Sequence, residues 1–284
     1  MTISRLKSRP VRETADTIHE VSEQTLLMLS NVSRRFITSR HDTTAIRDIS
    51  FDVSMGEFIC VVGPSGCGKS TLLNLIAGLD HPTSGQLLFN EQPITDPGAD
   101  RVVVFQEPAL YPWLNVRANV EFGLRMKGTP KAERKDIVDR YLELVNLTKF
   151  EHAFVHELSG GMKQRVQLAR ALAVEPRMLL MDEPFAALDA QTRDLLQLEL
   201  QDIWQRTGAT IVFITHNVRE AALLADRVLV MTPGPGQIKA EIVVSLQRPR
   251  NPDTHAVVDF AAEIRAALQN EDYTGRAPEK VYAI

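Results

Sequence analysis

The sequence predicts an α/β fold, because three short apolar runs each end in residues that are suited to chemistry. Residues 58–62 lead into a glycine-rich turn, residues 178–181 lead into two carboxylates, and residues 210–215 lead into His216. Short apolar runs of this length are typical of buried strands. Segments with helical patterns follow the first two runs, so that strands and helices alternate along the chain.

Length, charge and hydropathy limit the classes of protein to consider. The chain has 284 residues and a formal net charge of −4, which gives no reason to expect nucleic acid as a partner. No apolar run approaches the roughly 18 residues of a transmembrane helix. Residues 1–24 are predicted to be a polar tail with weak structure. They do not resemble a secretory signal, because no apolar stretch follows their basic residues. Cys60 and Cys67 are not expected to form a disulfide, which suits a reducing cytoplasm.

The glycine-rich turn at residues 63–71 fits the phosphate-loop pattern G-x-x-x-x-G-K-S. Its glycines allow backbone N–H groups to point at a phosphate chain, and the dipole of the following helix adds to that attraction. Lys69 can reach the outer phosphates, and the Ser70 hydroxyl can bind the Mg²⁺ that accompanies a nucleotide. The flanking strand and helix favour nucleoside triphosphate binding over a chance match. The predicted nucleotide contacts of the loop are Gly63, Pro64, Ser65, Gly66, Cys67, Gly68, Lys69, Ser70 and Thr71.

Cys67 lies inside this loop, at a helix N-terminus and beside Lys69. Both neighbours favour a thiolate, so Cys67 is predicted to be the more reactive of the two cysteines. The alternative is a thiol that points into the core and is inert.

Polar side chains follow the other predicted strands. Asp182 can hold Mg²⁺ through its hydration shell, and Glu183 can orient and deprotonate the water that attacks the terminal phosphate. Two acids after a buried strand are costly without such a role. Gln106 ends the strand at residues 101–105, where it makes either ordinary loop hydrogen bonds or contacts with magnesium or the attacking water. His216 ends another apolar strand, close to the predicted catalytic groups.

An antiparallel layer is predicted before the phosphate loop, from alternating apolar residues at 26–32 and 49–53. Phe36 follows the first of these strands. A single phenylalanine there is most often a core residue. If the layer folds over the phosphate loop, the ring could instead stack on an adenine base.

Residues 109–175 are predicted to be a helical insertion between strands of the nucleotide fold. Its aromatic-rich start, which includes Tyr111 and Trp113, forms either the core of the insertion or a groove for a partner helix, and periodicity alone favours core. Further along, Ser159, Gly160 and Gly161 open a helix. This turn is either an anion site at a helix N-terminus or a helix start with Ser159 as its cap.

Together these motifs resemble the nucleotide-binding subunit of an ATP-binding-cassette (ABC) transporter over roughly residues 26–245. The resemblance implies an ATPase domain at 25–245, with a RecA-like phosphate-loop core, an antiparallel β-subdomain and an inserted helical subdomain at about 109–175. It implies ATP and Mg²⁺ as cofactors. The C-terminal tail at 246–284 is expected to contain a helix at about 255–268 and is too short for a separate regulatory domain.

The resemblance also implies a role for each site residue. Glu183 is the catalytic base and His216 the switch histidine, while Gln106, Ser70 and Asp182 approach the magnesium. The remaining residues implied at the nucleotide are Phe36 against the adenine, Ser159, Gly160 and Gly161 of the family signature, and Asp189 of the D-loop.

The implied partners are a second copy of this chain and a membrane permease. In the family the signature helix completes the nucleotide site of the second copy, so that two ATP molecules are held head to tail. The segment after Gln106 passes the movement to the permease, and Tyr111 and Trp113 are expected to border a groove for one of its cytoplasmic helices. Such a subunit lies on the cytoplasmic face of the membrane as a peripheral protein.

Residues 226–237 and 248–250 are similar to the nitrate, sulfonate and taurine import group. An importer of this group also works with an extracytoplasmic solute-binding protein. The Pro-Gly-Pro-Gly sequence at 233–236 is interpreted as a hairpin turn and nothing more.

Two alternatives stay open, an ABC exporter and a non-transport ABC ATPase. The hydrolytic motifs do not encode the direction of transport. Coiled-coil arms of DNA-repair or chromosome-folding ATPases would interrupt the chain between Gln106 and Leu158, and only residues 107–157 lie there. Translation factors of this type carry two cassettes, and this chain has one. A phosphate-loop kinase gives no reason for the Ser-Gly-Gly helix.

Overall fold

A computed structural model describes residues 25–37 and 42–269, and every structural statement below concerns these residues. The tail predicted at residues 1–24 and the last part of the predicted C-terminal tail, from residue 270, lie outside them. The strands are β1 (Thr25–Ile37), β2 (Asp42–Ser54), β3 (Phe58–Val62), β4 (Ser84–Phe89), β5 (Gln92–Pro93), β6 (Arg101–Val104), β7 (Met178–Asp182), β8 (Thr210–Thr215), β9 (Arg227–Met231) and β10 (Ile238–Val243). The α-helices are α1 (Lys69–Ala77), α2 (Val116–Met126), α3 (Lys131–Leu144), α4 (Gly160–Ala173), α5 (Ala190–Thr207), α6 (Val218–Leu224) and α7 (His255–Gln269).

The central sheet has six strands in the order β10-β9-β3-β8-β7-β6. All its pairings are parallel except that of β10, which runs antiparallel to β9 at one edge. Every residue of β3 and β8 is buried, which explains why these strands are continuous apolar runs and do not alternate. Because β3, β7 and β8 are parallel, the turns that follow them meet at one edge of the sheet.

A second sheet, with antiparallel strands in the order β2-β1-β4-β5, packs over α1 and one face of the central sheet. Leu27 of β1 and Ile49 of β2 share a hydrophobic core with Leu72 of α1 and with Val61 and Val212 of the central strands. This core fixes α1, and therefore the loop before it, against the central sheet.

The other face of the central sheet carries the remaining helices. Val166 of α4, Leu200 of α5, Leu223 of α6 and Phe260 of α7 form one core with Phe213 of β8. Helices α2 and α3 pack against α4, and α7 packs against α6 and β9. This is the predicted α/β class with an antiparallel layer and helices inserted between β6 and β7. Within the described ranges, no helix combines the length and apolar character needed to cross a bilayer.

Candidate active site

The phosphate loop connects β3 to α1, and its glycines are required by its backbone. Gly66 and Gly68 have φ angles of +76° and +98°, and Gly68 is the N-cap of α1. A Cβ atom on Gly68 would lie 2.5 Å from Cγ2 of Ile46 and 2.8 Å from the carbonyl oxygen of Ala45. Both the left-handed backbone and the close approach of β2 therefore favour glycine at this position.

Lys69 extends back over its own loop. Its Nζ atom donates hydrogen bonds to the carbonyl oxygens of Gly63 at 2.9 Å and Pro64 at 3.1 Å. The residue is 6% exposed, so the ammonium lies within the curve of the loop, where a phosphate chain would meet it.

The turn at residues 233–236 packs against the phosphate loop and β2, a contact that the sequence does not predict. Gly236 donates its N–H to the oxygen of Ala45 and accepts from the N–H of Arg47, both at 2.9 Å. A Cβ atom on Gly236 would lie 2.0 Å from the carbonyl oxygen of Cys67. The turn is thus more than a hairpin connection. No local signal in the sequence indicates this contact, because the two segments are far apart along the chain.

The predicted reactivity of Cys67 is wrong. The residue is fully buried, and a Cβ atom on Gly63 would lie 2.7 Å from its Sγ atom. Burial raises the pKa of the thiol, and the opposing influence of Lys69 does not overcome it. The sequence correctly places Cys67 at a helix N-terminus, but its side chain points into the core, where the thiolate is disfavoured.

Ser70 and Asp182 form the part of the site that suits a divalent cation. Asp182 stands at the end of β7, and Ser70 lies in the first turn of α1. Burial raises the pKa of Asp182, and hydrogen bonding to Ser70 partly offsets that shift. Hydroxyl and carboxylate oxygens are the donors that Mg²⁺ prefers. No group of three His, Cys, Asp or Glu residues in the described chain could hold a metal alone, so such an ion would need water and nucleotide oxygens as further ligands.

Glu183 and His216 are brought together by the pairing of β7 with β8. In this register Asp182 lies opposite Ile214, and the Glu183 N–H donates to the Ile214 oxygen at 3.0 Å. Oε2 of Glu183 then lies 2.8 Å from Nδ1 of His216. Glu183 has a φ angle of +45°, a left-handed conformation that non-glycine residues rarely adopt and that is found at functional sites.

The signature helix α4 packs on the face of the central sheet opposite to the face that carries α1. Ser159 is its N-cap and accepts a hydrogen bond from the Met162 N–H at 3.3 Å, so the capping interpretation holds. In the described residues, no hydrogen bond or ion pair joins Ser159, Gly160 or Gly161 to the phosphate loop. The structure therefore does not bring these two predicted halves of the nucleotide site together within one chain.

Three further predicted residues lie near the surface. Asp189 caps α5 by accepting from the Thr192 N–H at 3.0 Å, and this hydrogen bond lowers the pKa of its carboxyl group. Gln106 is exposed just after β6. Phe36 is 39% exposed near the end of β1, with the Arg34 guanidinium 4.6 Å from its ring centre. Phe36 is therefore a surface residue, unlike the core residue that is most common at such a position.

An aromatic patch, defined by Tyr111, Trp113 and Phe122, lies at the start of the helical insertion. The ring centres of Tyr111 and Phe122 are 4.4 Å apart, and Trp113 is 71% exposed. The buried Asn119 of α2 fixes the backbone of this segment, accepting from the Tyr111 N–H and donating to the oxygens of Tyr111 and Leu114. The patch therefore presents an exposed indole ring on a backbone that is hydrogen-bonded to α2.

Solved structures define the class of protein. A dimeric ATP-binding cassette in a post-hydrolysis state, bound to ADP and Pi, matches with a TM-score of 0.68 at 30% identity, over 78% of this chain and 100% of that one. CbiO1 from Clostridium perfringens, part of an ABC transporter complex, matches with a TM-score of 0.71 at 28% identity, over 87% of this chain and 96% of that one. The fold is that of an ATP-binding cassette.

Sequence relatives give the family. The ABC transporter family profile matches residues 46–186. A nitrate import ATP-binding protein of Synechocystis is 50% identical over 220 residues, covering 78% of this chain and 83% of that protein. A taurine import ATP-binding protein of Roseobacter denitrificans is 51% identical over 216 residues, covering 76% and 81%. The chain belongs to the ABC transporter ATP-binding family, and the predicted fold and family are confirmed.

Proposed function

We propose that this chain hydrolyses ATP on the cytoplasmic face of a membrane to power the import of a small solute such as nitrate, a sulfonate or taurine. The names of the nitrate and taurine relatives support this class of cargo. The sequence pattern at residues 226–237 agrees with it. A permease and an extracytoplasmic solute-binding protein are the proposed partners, and the solute-binding protein would supply the choice of cargo.

The phosphate loop is the proposed nucleotide site, with Lys69 against the outer phosphates. Ser70, Asp182 and Gln106 are the residues that would hold Mg²⁺, which when bound neutralises charge on the phosphate oxygens. The half-buried Asp182 carboxylate supports this assignment, because burial and the charge of Glu183 raise its pKa and the charge of Lys69 only partly opposes that shift. Phe36 is proposed to contact the adenine ring of the nucleotide.

Glu183 is the proposed general base, and its hydrogen bond to His216 is the observation that carries the assignment. The carboxylate of Glu183 would accept a proton from the attacking water as the water oxygen bonds to the terminal phosphorus and the bond from that phosphorus to the bridging oxygen breaks, releasing ADP. His216 holds that carboxylate in place, and its ring stays accessible, with 63% of the side chain exposed. An exposed imidazole beside the base is able to meet the terminal phosphate.

A second copy of this chain is proposed to complete each site. Ser159, Gly160 and Gly161 at the N-terminus of α4 offer backbone N–H groups to an anion, yet they lie on the other face of their own sheet. A head-to-tail pair would set them against the partner's nucleotide, with Asp189 at the shared interface. The dimeric state of the matched cassette structure supports this arrangement.

The aromatic patch is proposed to border the docking site for a helix of the permease. Its indole is exposed and its backbone is fixed by Asn119, which keeps the ordering entropy of docking small. Arg170 of α4 contacts the patch, with its guanidinium 5.4 Å from the ring centre of Tyr111, and it also donates to the oxygen of Ala109. Movement of α4 would therefore reach the docked helix.

The substitution Glu183→Gln tests the proposed chemistry. It keeps the size and hydrogen-bonding capacity of the side chain but removes the base, so the turnover of ATP should fall by about 100-fold or more. ATP binding should survive, and the variant should accumulate as an ATP-bound dimer. Glu133→Gln, at an exposed position on α3, is the matched control and should behave as wild type. Near-normal turnover of Glu183→Gln would assign the base elsewhere.

A further inference from the structure

A buried polar cluster lies behind His216, and the proposed chemistry makes no use of it. The cluster consists of Glu220 of α6, Thr215 at the end of β8 and Gln197 of α5, which are 4%, 2% and 4% exposed. Thr215 Oγ1 donates to Glu220 Oε2 at 2.5 Å, and Gln197 Nε2 donates to Glu220 Oε1 at 3.1 Å. Each oxygen of this carboxylate is thus bound by an element other than its own helix.

Burial of this carboxylate is unfavourable by itself. Burial raises the pKa of Glu220, while the hydrogen bond from Thr215, the charges of Arg193 and His216 and the hydrogen bond from Gln197 oppose that shift. An apolar side chain would fill the same space without the loss of hydration. Stability alone therefore does not explain a carboxylate at position 220.

Those contacts converge on the backbone around His216. Thr215 precedes His216, and its Oγ1 atom also accepts from the Asn217 N–H at 2.9 Å. The residues on both sides of the histidine are therefore tied to Glu220, one of them directly and one through the threonine hydroxyl. The exposed His216 ring has its one hydrogen bond within the described chain to Glu183, so the direction of the ring depends on this backbone.

We propose that Glu220 is a positioning residue for His216, fixing through Thr215 the turn that aims the imidazole at Glu183. The inference rests on the proposed roles of His216 and Glu183. A carboxylate suits this position because both its oxygens accept, and it faces two donors. A glutamine at position 220 offers only one accepting oxygen, so the Thr215 hydroxyl and the Gln197 amide can no longer each donate to an oxygen of residue 220 unless one of them reorients.

Glu220→Gln and Thr215→Val should therefore lower kcat in the full-length chain while KM for ATP stays close to wild type. Misplacement of a catalytic group by about 1 Å can reduce the rate by about 100-fold, so we expect a fall of between about 10-fold and 100-fold. Thr215→Ser restores the hydroxyl and should recover most of the activity. Recovery by serine separates loss of the hydrogen bond from a change in β8 packing.

Glu57→Gln is the matched control. Glu57 is a largely buried acid with a pKa raised by burial, but it pairs with Arg227 near the opposite edge of the central sheet. Glu57→Gln should leave kcat at the wild-type value, whatever its effect on the unfolding temperature. A fall in activity for Glu220→Gln that only matches its loss of folded protein would overturn the proposal.

A double-mutant cycle with His216→Ala gives the sharpest test. If Glu220 acts through His216, adding Glu220→Gln to His216→Ala should change kcat by less than about twofold, because the two effects are not additive. Full additivity, or wild-type kcat for Glu220→Gln, would contradict the positioning role. If His216→Ala itself retained wild-type kcat, the proposed role of His216 would fail, and the Glu220 proposal with it. If Glu220→Gln did not fold, Thr215→Val in the same cycle would decide.

Discussion

The phosphate loop and the pair formed by Glu183 and His216 meet at the same edge of the central sheet but are built in different ways. The loop is a single continuous segment in which Lys69 bonds to its own Gly63 and Pro64 oxygens. Glu183 and His216 are 33 residues apart in sequence and meet only because β7 and β8 pair in one register. One region is specified locally, whereas the other depends on the sheet.

The two regions differ in how strongly their geometry depends on strand register. A strand pair that slips by one residue turns every side chain to the other face, so the contact between Glu183 and His216 requires the correct register. The loop depends less on register, but it is not independent of the fold. The turn at 233–236 lies against Cys67 and Ala45, so a distant segment of the chain limits the path that the loop can take.

Gly236→Ala should distort the phosphate loop without affecting the contact between Glu183 and His216. The added methyl group would meet the Cys67 carbonyl oxygen at 2.0 Å, and relief of such a clash in packed surroundings should destabilise the fold by about 1–3 kcal/mol. We expect a lower unfolding temperature together with a marked loss of affinity for ATP, measured by thermal melting and by nucleotide titration.

Gly234→Ala is the control within the same turn. A Cβ atom there would lie 3.6 Å from the Gly66 oxygen, an ordinary contact. This variant should bind ATP like wild type. Equal effects of the two substitutions would show that the turn tolerates or rejects alanine for reasons unrelated to the loop.

Asp182→Asn should have a smaller effect, and one of opposite sign on stability. The raised pKa means that the native chain binds the proton of the Asp182 carboxyl group more tightly than the unfolded chain does. The stability that this proton contributes is fully present below the pKa of the unfolded chain, and it is lost as pH rises through the pKa of the folded chain. Above that window asparagine removes the destabilising ionised group. Without nucleotide, the variant should melt at a higher temperature at neutral pH, and the difference should shrink below about pH 3.9.

The same variant tests the proposed magnesium site. Mg²⁺ with ATP should raise the unfolding temperature of the wild-type chain more than ATP with a chelator does. Asp182→Asn should lose that difference, whereas Asp202→Asn, on the exposed side of α5, should keep it. A full magnesium response in Asp182→Asn would remove Asp182 from the metal site.

The sequence predicted best what is contiguous. The loop at 63–71, the acids after β7 and the capping residue Ser159 all follow from residue types at fixed short spacings. The meeting of Glu183 with His216 could be anticipated only as far as parallel strands share an edge. The hydrogen bond itself depends on strand register, which no local pattern specifies.

The sequence does not reveal the environments of Cys67 and Glu220, and the physical cause is the same for both residues. Cys67 has the neighbours of a reactive thiol, but its pKa depends on burial, which the antiparallel sheet and the turn at 233–236 impose. Glu220 looks like an ordinary charged residue of an amphipathic helix until α5 and β8 close over it. Burial of polar groups arises from contacts between distant segments, so a single sequence does not reveal it.

Each nucleotide site is proposed to combine the phosphate loop of one chain with the signature helix of another. Lys69→Ala disables the loop and Ser159→Arg blocks the N-terminus of α4, so either variant alone should lack ATPase activity. In the mixed dimer, one site receives both lesions and the other receives neither. If single sites turn over, random mixing should recover roughly a quarter of wild-type activity.

The measurement is therefore ATP turnover and interface-bound ATP in a purified heterodimer whose chains carry different affinity tags. We predict recovered turnover or, where both sites must act together, one tightly bound ATP for each heterodimer. A Ser159→Arg protein that retains near-normal activity alone would show that the site lies within one chain. A verified heterodimer with neither turnover nor bound ATP would equally contradict the composite site.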